Sequence, residues 1–479
     1  MTTRREFLKV GISGLILPTA GCGGGSGSIG APASGGPVPP RAPIGATLRV
    51  GPGSADTGAG PIPGALLYND AWPSPTLRMQ RGAPVDITVA NDLTEATNVH
   101  WHGLSVPWEV DGHPTVVITP GASKRHQFTV ANRAGTYWYH PHPDGATARQ
   151  AYLGLGGLLI VEDGNDSARG LPTGLSDVLL VLADKRLNGL SQLNYAPTAA
   201  DLSDGLIGDT LLCNGRQGFH APVEPVWTRL RLLNASNSRI LNPAFADGRT
   251  VWLIGTDGGL MDAPVALTSV MLSPGERVEL LVDLAHDAGQ QLRIVSQPFA
   301  LGTVPGPGSA QTAAMDLLFL DVARTATGPS GALPATFEPI ARYEGAAAVT
   351  ERRFQLTSGM GMRMGSMGGL PQINGLSFGP NRVDFQVPIA SLERWVFANM
   401  SSMPHPMHVH ATQFQVLTRG GAAAGRVPTD FGWKDTVLVG PLETVEIAVR
   451  FDGNPGRYVL HCHNLEHEDG GMMSSFDVI

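Results

Sequence analysis

The sequence predicts an all-β fold made of three copies of one β-sandwich, and three observations carry that prediction. Gly 61 and Pro 38 in 479 residues supply turns in abundance, while only 15% of residues are charged, a balance that favours many short strands over long helices. Apolar runs between 170 and 330 are brief and broken by Gly, Pro, Asn and Asp. A turn followed by an apolar strand also recurs at domain spacing: "VITPGASKRHQFTV" from 117, "MLSPGERVELLVDL" from 271 and "LVGPLETVEIAVRF" from 438. A length of 479 residues corresponds to about three domains, and 42% hydrophobic residues suffice for real cores.

Residues 1–43 stand apart from this pattern. "MTTRREFLKVGISGLILPTAGC" opens with the adjacent Arg4 and Arg5 and continues into a short apolar stretch ending in small residues, the layout of a targeting leader. "TRREFLK" resembles the twin-arginine export motif, which implies passage through the Tat machinery and a bacterial periplasmic or cell-surface destination for a chain exported already folded. Cys22 is a candidate lipid-attachment site, although Thr19, three residues earlier, departs from the usual lipoprotein pattern. Residues 23–43 read as a flexible linker. The net charge of -8 excludes nucleic acid as the expected partner. Past the leader, no apolar run approaches the roughly 18 residues of a membrane span.

Three domains are expected in order: 44–168, 169–325 and 349–479, with 326–348 as a linker rich in Gly, Ala and Pro. Helices should be short, "ATARQAYLG" near 147 being the best stretch. The first and last domains agree beyond the shared turn, because "GTYWYHPH" (135–142) matches "GRYVLHCH" (456–463) at the glycine, the tyrosine and both histidines. Likewise "NVHWHG" (98–103) answers "PMHVHA" (406–411). The middle domain has no such pair and is expected to scaffold the other two.

Four His-x-His pairs thus supply His100, His102, His140, His142, His408, His410, His461 and His463, two pairs from each outer domain, which places a metal cluster between those domains. In "GRYVLHCH", read as a strand, His461 and His463 share one face and Cys462 takes the other. Same-face neighbours lie roughly 6 to 7 Å apart, suited to two adjacent ions rather than one. The stretch is therefore expected to touch at least three metals, two through the histidines and one through the thiolate. Of the 14 histidines, His113, His126, His220 and His286 fall outside any such pattern and read as ordinary core or surface residues. His405, Cys462, His467 and Met472 remain, and two histidines with a thiolate and a distant thioether form the set of a blue-copper electron-transfer centre. Zinc would favour a compact Cys and His tetrahedron without methionine. Pro141 occupies the position matching Cys462 in the first domain, so only the last domain can hold a thiolate-bound copper. A disulfide between Cys213 and Cys462 is not expected, since Cys213 in "LLCNG" reads as a small buried residue before a turn.

"HWHG", "HPH", "HPMHVH" and "HCHNLEHEDGGMM" occur in this order and resemble the copper motifs of the multicopper oxidases, over about residue 45 to the end. The resemblance implies three tandem cupredoxin-like Greek-key domains and four copper ions. It places His405, Cys462, His467 and axial Met472 on a type 1 copper, and His100 and His408 on a type 2 copper. His102, His140, His142, His410, His461 and His463 fall to a type 3 pair. It implies one-electron oxidation of a donor at the type 1 site, electron passage through Cys462 to its neighbours His461 and His463, and four-electron reduction of dioxygen to water. Asp111 in "EVDG" and Glu468 in "EHEDGG" match family positions thought to relay protons, or equally to orient ligand histidines.

The donor is the least determined part of that expectation. "HEDGGMM" resembles the ending of bacterial cuprous oxidases, and Met360, Met362, Met364 and Met367 in "SGMGMRMGSMGG" are either soft Cu(I) ligands or packing residues. That subgroup's long methionine-rich insertion is absent, and Ser401 stands where it carries an acid. A phenolic or aromatic donor, as in laccases, is therefore the leading expectation, with Cu(I) oxidation in copper tolerance as the alternative. A copper-free cell-division scaffold of the same fold is the remote one, since every ligand position is filled.

Overall fold

The computed structural model describes residues 41–42, 47–187, 189, 192–300, 313–327, 331–343, 350–357 and 369–479. The expected leader, Cys22, most of the first linker and Met360, Met362, Met364 and Met367 lie outside the described residues.

Six sheets form three successive pairs along the chain. The first pair joins Arg41–Ala42, Thr76–Gln80, Gly157–Glu162 and Gly135–Tyr139 in one sheet and Pro61–Tyr68, Thr47–Asp56, Pro84–Asn91 and Ser123–Thr129 in the other. Non-consecutive strands lie side by side in each, as in Greek-key sandwiches. Period-two patterning explains the strands: in "PVDITVAN" Val85, Ile87 and Val89 point to the core while Asp86 and Thr88 alternate outward. A six-stranded and a four-stranded sheet follow between Asp177 and Val322. Two five-stranded sheets close the chain between Thr350 and Val478. Each pair encloses its own apolar core, centred on residues such as Val89 and Tyr139, Leu232 and Leu280, and Trp395 and Phe476. The described parts of the expected second linker, 326–327 and 331–343, have no strand or helix.

Helices are as short as the sequence predicts. Trp108–Asp111 carries Asp111, Thr147–Tyr152 falls in "ATARQAYLG", and Leu465–Asp469 carries His467 and Glu468. Gly112 ends the first of these at φ 92°, where a β-carbon would lie 2.5 Å from the His100 Cα. Only glycine lets the helix bearing Asp111 approach the backbone of His100 this closely.

The middle segment differs from a plain β-sandwich in one respect. Its central strands Trp227–Asn234 and Arg277–Asp283 are buried on both faces, so the alternating charges of "TRLRLL" and "ERVELL" point inward. Arg229 and Arg231 meet Glu279 there, and Glu279 also accepts a hydrogen bond from Thr136 of the first segment at 2.6 Å. Such buried ions hold only when paired and fully hydrogen-bonded.

Candidate metal centre

The eight paired histidines converge in one fully buried cage. Strand His405–Val409 is paired with Gly456–Cys462, with His408 opposite His461, and an isolated bridge sets His100 opposite His140. These pairings bring rings from distant parts of the chain together because side chains of register partners share a face.

Hydrogen bonds assign one nitrogen of most rings. His100 Nδ1 donates to the Asp111 carbonyl at 2.6 Å and His408 Nδ1 to the Asp435 carbonyl at 2.8 Å, leaving their Nε2 atoms face to face at 3.3 Å. His410 Nδ1 bonds Asp111 Oδ2 at 2.7 Å and His461 Nδ1 donates to the Cys462 carbonyl at 3.1 Å. Their Nε2 atoms meet at 3.2 Å, and His142 Nε2 joins at 3.2 Å from His461 Nε2. His140 Nδ1 donates to the Pro141 carbonyl at 2.9 Å, which aims Nε2 at His102 Nδ1, 3.4 Å away. His463 completes this last group, its ring centre 5.1 Å from that of His102 and 5.4 Å from that of His140, with neither nitrogen hydrogen-bonded.

These contacts place proton-free nitrogens opposite one another. A neutral imidazole has one donor nitrogen and one acceptor nitrogen, and where each Nδ1 donates outward the inward Nε2 atoms oppose lone pairs that cannot bond to each other. An electrophile between them resolves the repulsion, and a first-row metal ion bound by imidazole is the group whose chemistry fits. Burial, with the neighbouring rings adding to it, holds His100, His102, His142, His408, His410 and His463 well below the usual imidazole range, and His140 at about 3. These seven rings are thereby kept neutral, as ligands must be.

His461 closes the strand with Cys462 and His463 follows it, their ring centres 5.6 Å apart, and Cys462 points elsewhere. Its Sγ lies 3.5 Å from His405 Nδ1 and 3.6 Å from His467 Nδ1. The far nitrogens are fixed: His467 Nε2 donates to the Ser203 carbonyl and His405 Nε2 meets Ser401 Oγ, both at 2.9 Å. Ser401 Oγ itself donates to Asn399 Oδ1 at 2.8 Å, so it accepts from His405 and leaves Nδ1 free towards the sulfur. Met472 is buried beside them, its carbonyl taking the Cys462 N–H at 3.0 Å and its own N–H bonding the His467 carbonyl at 2.9 Å. Burial pushes the Cys462 thiol up and His467 down to about 4, so a metal entering here displaces the thiol proton. Cys213 and Cys462 are both free and buried, in line with the expectation of no disulfide.

Asp111 and Glu468 sit behind the rings. Besides binding His410, Asp111 leaves Oδ1 without a partner. Glu468 places its oxygens 3.4 Å from His142 Nδ1 and 3.1 Å from His461 Nδ1, beside both rings but hydrogen-bonded to neither. Four neighbours escaped the sequence reading. Trp138 stacks on His140 with centres 4.1 Å apart. Ser203, Asp435 and Arg277 reach the two centres from segments that carry no motif, and "WKDT" was the only local signal, an unexplained acid between a lysine and a strand. Of the surplus histidines, His113 and His126 are buried, the first against Trp108 and Phe378 and the second against Trp101.

Comparison with known proteins points the same way. Family models described as multicopper oxidase match residues 57–166 and 347–479. The chain is 34% identical over 437 residues to the multicopper oxidase mco of Staphylococcus haemolyticus, covering 90% of this chain and 88% of that one. It is also 33% identical over 417 residues to the cell division protein FtsP of Yersinia pestis, covering 84% of this chain and 82% of that one. A solved structure, that of the laccase-like multi-copper oxidase CueO from a lignin-degrading Ochrobactrum species with oxidase activity towards lignin model compounds and lignosulfonate, superposes with a TM-score of 0.81 at 31% identity, covering 92% of this chain and 100% of that one.

Proposed function

The chain belongs to the multicopper oxidase family, and on that premise we propose that it is a four-copper, laccase-like oxidase of phenolic or aromatic donors with dioxygen as the acceptor. His405, Cys462, His467 and Met472 would hold the type 1 copper, His100 and His408 the type 2 copper. The type 3 pair would fall to His142, His410 and His461 on one ion and His102, His140 and His463 on the other. Bound copper supplies one-electron exchange with the donor and the site of oxygen reduction.

The protein's own residues account for the rest. Cys462 shares backbone bonds with His461 and His463, so a single covalent stretch spans both centres. Asp111 holds the His410 ring nitrogen from behind, and Glu468 lies behind His142 and His461. Burial raises the Asp111 carboxyl well above the usual range, so Oδ1, free of other bonds, can hold a proton near the cage and release it as oxygen is reduced. The twin-arginine leader supports Tat export to the periplasm of a chain folded around its metal. Lipid at Cys22 would anchor it there.

The opposition of unprotonated nitrogens across the cage carries this reading. It also favours an oxidase over a copper-free scaffold such as the cell division relatives suggest, because a cage of opposed lone pairs has no purely structural use. The test is copper content of the purified chain, followed by oxygen uptake with a phenol and with Cu(I) at matched concentration. Four coppers per chain and faster uptake with the phenol are expected. Faster uptake with Cu(I) would make the protein a cuprous oxidase, and a copper-free, inactive chain would overturn the oxidase reading.

A further inference from the structure

The middle segment supplies no histidine to either centre, yet its side chains reach the histidine cage. Arg277 and Asp435 are wholly buried and joined as a fork, Nη1 to Oδ1 at 2.8 Å and Nη2 to Oδ2 at 2.6 Å. The remaining Arg277 donors go to carbonyls: Nε to Thr136 at 3.1 Å, Nη1 to Gly275 at 2.8 Å and Nη2 to Asp257 at 2.9 Å. All five N–H groups of the guanidinium are thereby used, and Arg277 has no freedom to shift. Asp257 accepts from the Arg277 backbone N–H at 2.8 Å and pairs with Lys434 at 2.8 Å, and Lys434 pairs with Glu276 at 2.7 Å.

Asp435 turns that rigid network towards one ring. Its Oδ1 lies 3.0 Å from His102 Nε2 and takes a hydrogen bond from Thr436 Oγ1 at 3.0 Å. A carboxylate so placed accepts the Nε2 proton, which makes Nδ1 the lone-pair nitrogen that faces His140. Where hydrogen bonds assign the other cage rings, they do the reverse, presenting Nε2. Two glycines keep the approach open: a β-carbon at Gly103 would lie 2.5 Å from Asp435 Oδ2, and one at Gly275 2.9 Å from the His463 ring.

We propose that Arg277 and Asp435 are positioning residues of the trinuclear centre, through which the ligand-free middle segment fixes the tautomer of His102. The first segment supplies the ring, the last the carboxylate and the middle the guanidinium that orients it. This rests on the four-copper reading. Carboxylates behind a ligand histidine raise its basicity, and their loss costs about 10- to 100-fold in metal affinity.

The experiment uses the full copper-loaded chain and competition with a copper chelator, following thiolate absorption for the type 1 copper and total copper for the cluster. Asp435→Asn presents an amide that can donate to His102 Nε2 and drive the proton onto Nδ1. Cluster copper should then bind about 10- to 100-fold more weakly with type 1 affinity unchanged. Arg277→Lys, which keeps the charge and loses the fork, should shift cluster affinity in the same direction. Arg277→Met with Asp435→Asn removes both charges, so that neither is left unpaired. Should Asp435→Asn fail to fold, this double variant decides, with the same selective loss expected. Unchanged cluster affinity in the folded variants would overturn the proposal, as would an equal loss at both centres accompanied by a lower melting temperature. A wild-type chain that binds no copper would instead refute the oxidase reading.

Discussion

Asp111 Oδ2 and His410 Nδ1, 299 positions apart in sequence, lie 2.7 Å from each other in the buried cage. The carboxylate fixes which His410 nitrogen faces His461, and the same residue's carbonyl does so for His100. Asp111→Asn keeps the shape and the carbonyl while removing the charge and the proton store. Oxygen uptake should fall about 10- to 100-fold with the thiolate absorption intact. Uptake equal to wild type would show that Asp111 neither orients nor relays.

Cys462→Ser removes the sulfur that lies 3.5 Å from His405 Nδ1 and 3.6 Å from His467 Nδ1. Blue absorption and nearly all turnover should vanish while the cage, built from other side chains, still takes up copper. An absorption spectrum with oxygen-uptake assays checks this, and a blue, active variant would refute the assignment.

Met472 is held beside Cys462 by backbone hydrogen bonds that do not involve its thioether. Met472→Leu should therefore leave the fold in place and remove only the thioether, which in the proposed type 1 site would tune the copper potential. The potential should rise with activity retained, and redox titration of the absorption measures it.

Acid sensitivity should come partly from histidines outside the metal centres. Burial lowers His113 and His126 to about 4, against about 6.5 in an unfolded chain. Between those values the unfolded chain binds protons that the folded one does not, so stability falls as pH drops through that window. Each contributes about 1.4 kcal/mol per pH unit. Urea unfolding at pH 7, 5.5 and 4.5 should show this loss. His126→Asn, which keeps an acceptor for the Trp101 indole 3.1 Å away, should flatten it.

The candidate ligands were legible in the sequence because His-x-His on a strand sends both rings to one face, and because two segments repeat the pattern at matching places. Asp111 and Glu468 were legible as candidates, but only the structure distinguishes what each touches. Arg277 and Asp435 were not legible. A charged residue in "PGERVE" or "WKDT" reads as the solvated end of a strand, and the fact that three segments bury it together exists only in the tertiary pairing. Ser203 was hidden for the same reason, since it reaches His467 through a backbone carbonyl that any residue could offer.

The cage joins rings as far apart as His142 and His461, 319 positions along the chain, and each outer segment supplies half of its eight histidines. Contacts of that range form late, because their loop-closure cost is met before they return anything. A nascent chain that has emerged only through the first segment carries four of the eight cage histidines, with ligand nitrogens of His100, His102 and His140 within reach of one another, and still lacks His408, His410, His461 and His463. The complete cage is thus a property of the finished chain alone, because it needs strands from both ends of the sequence.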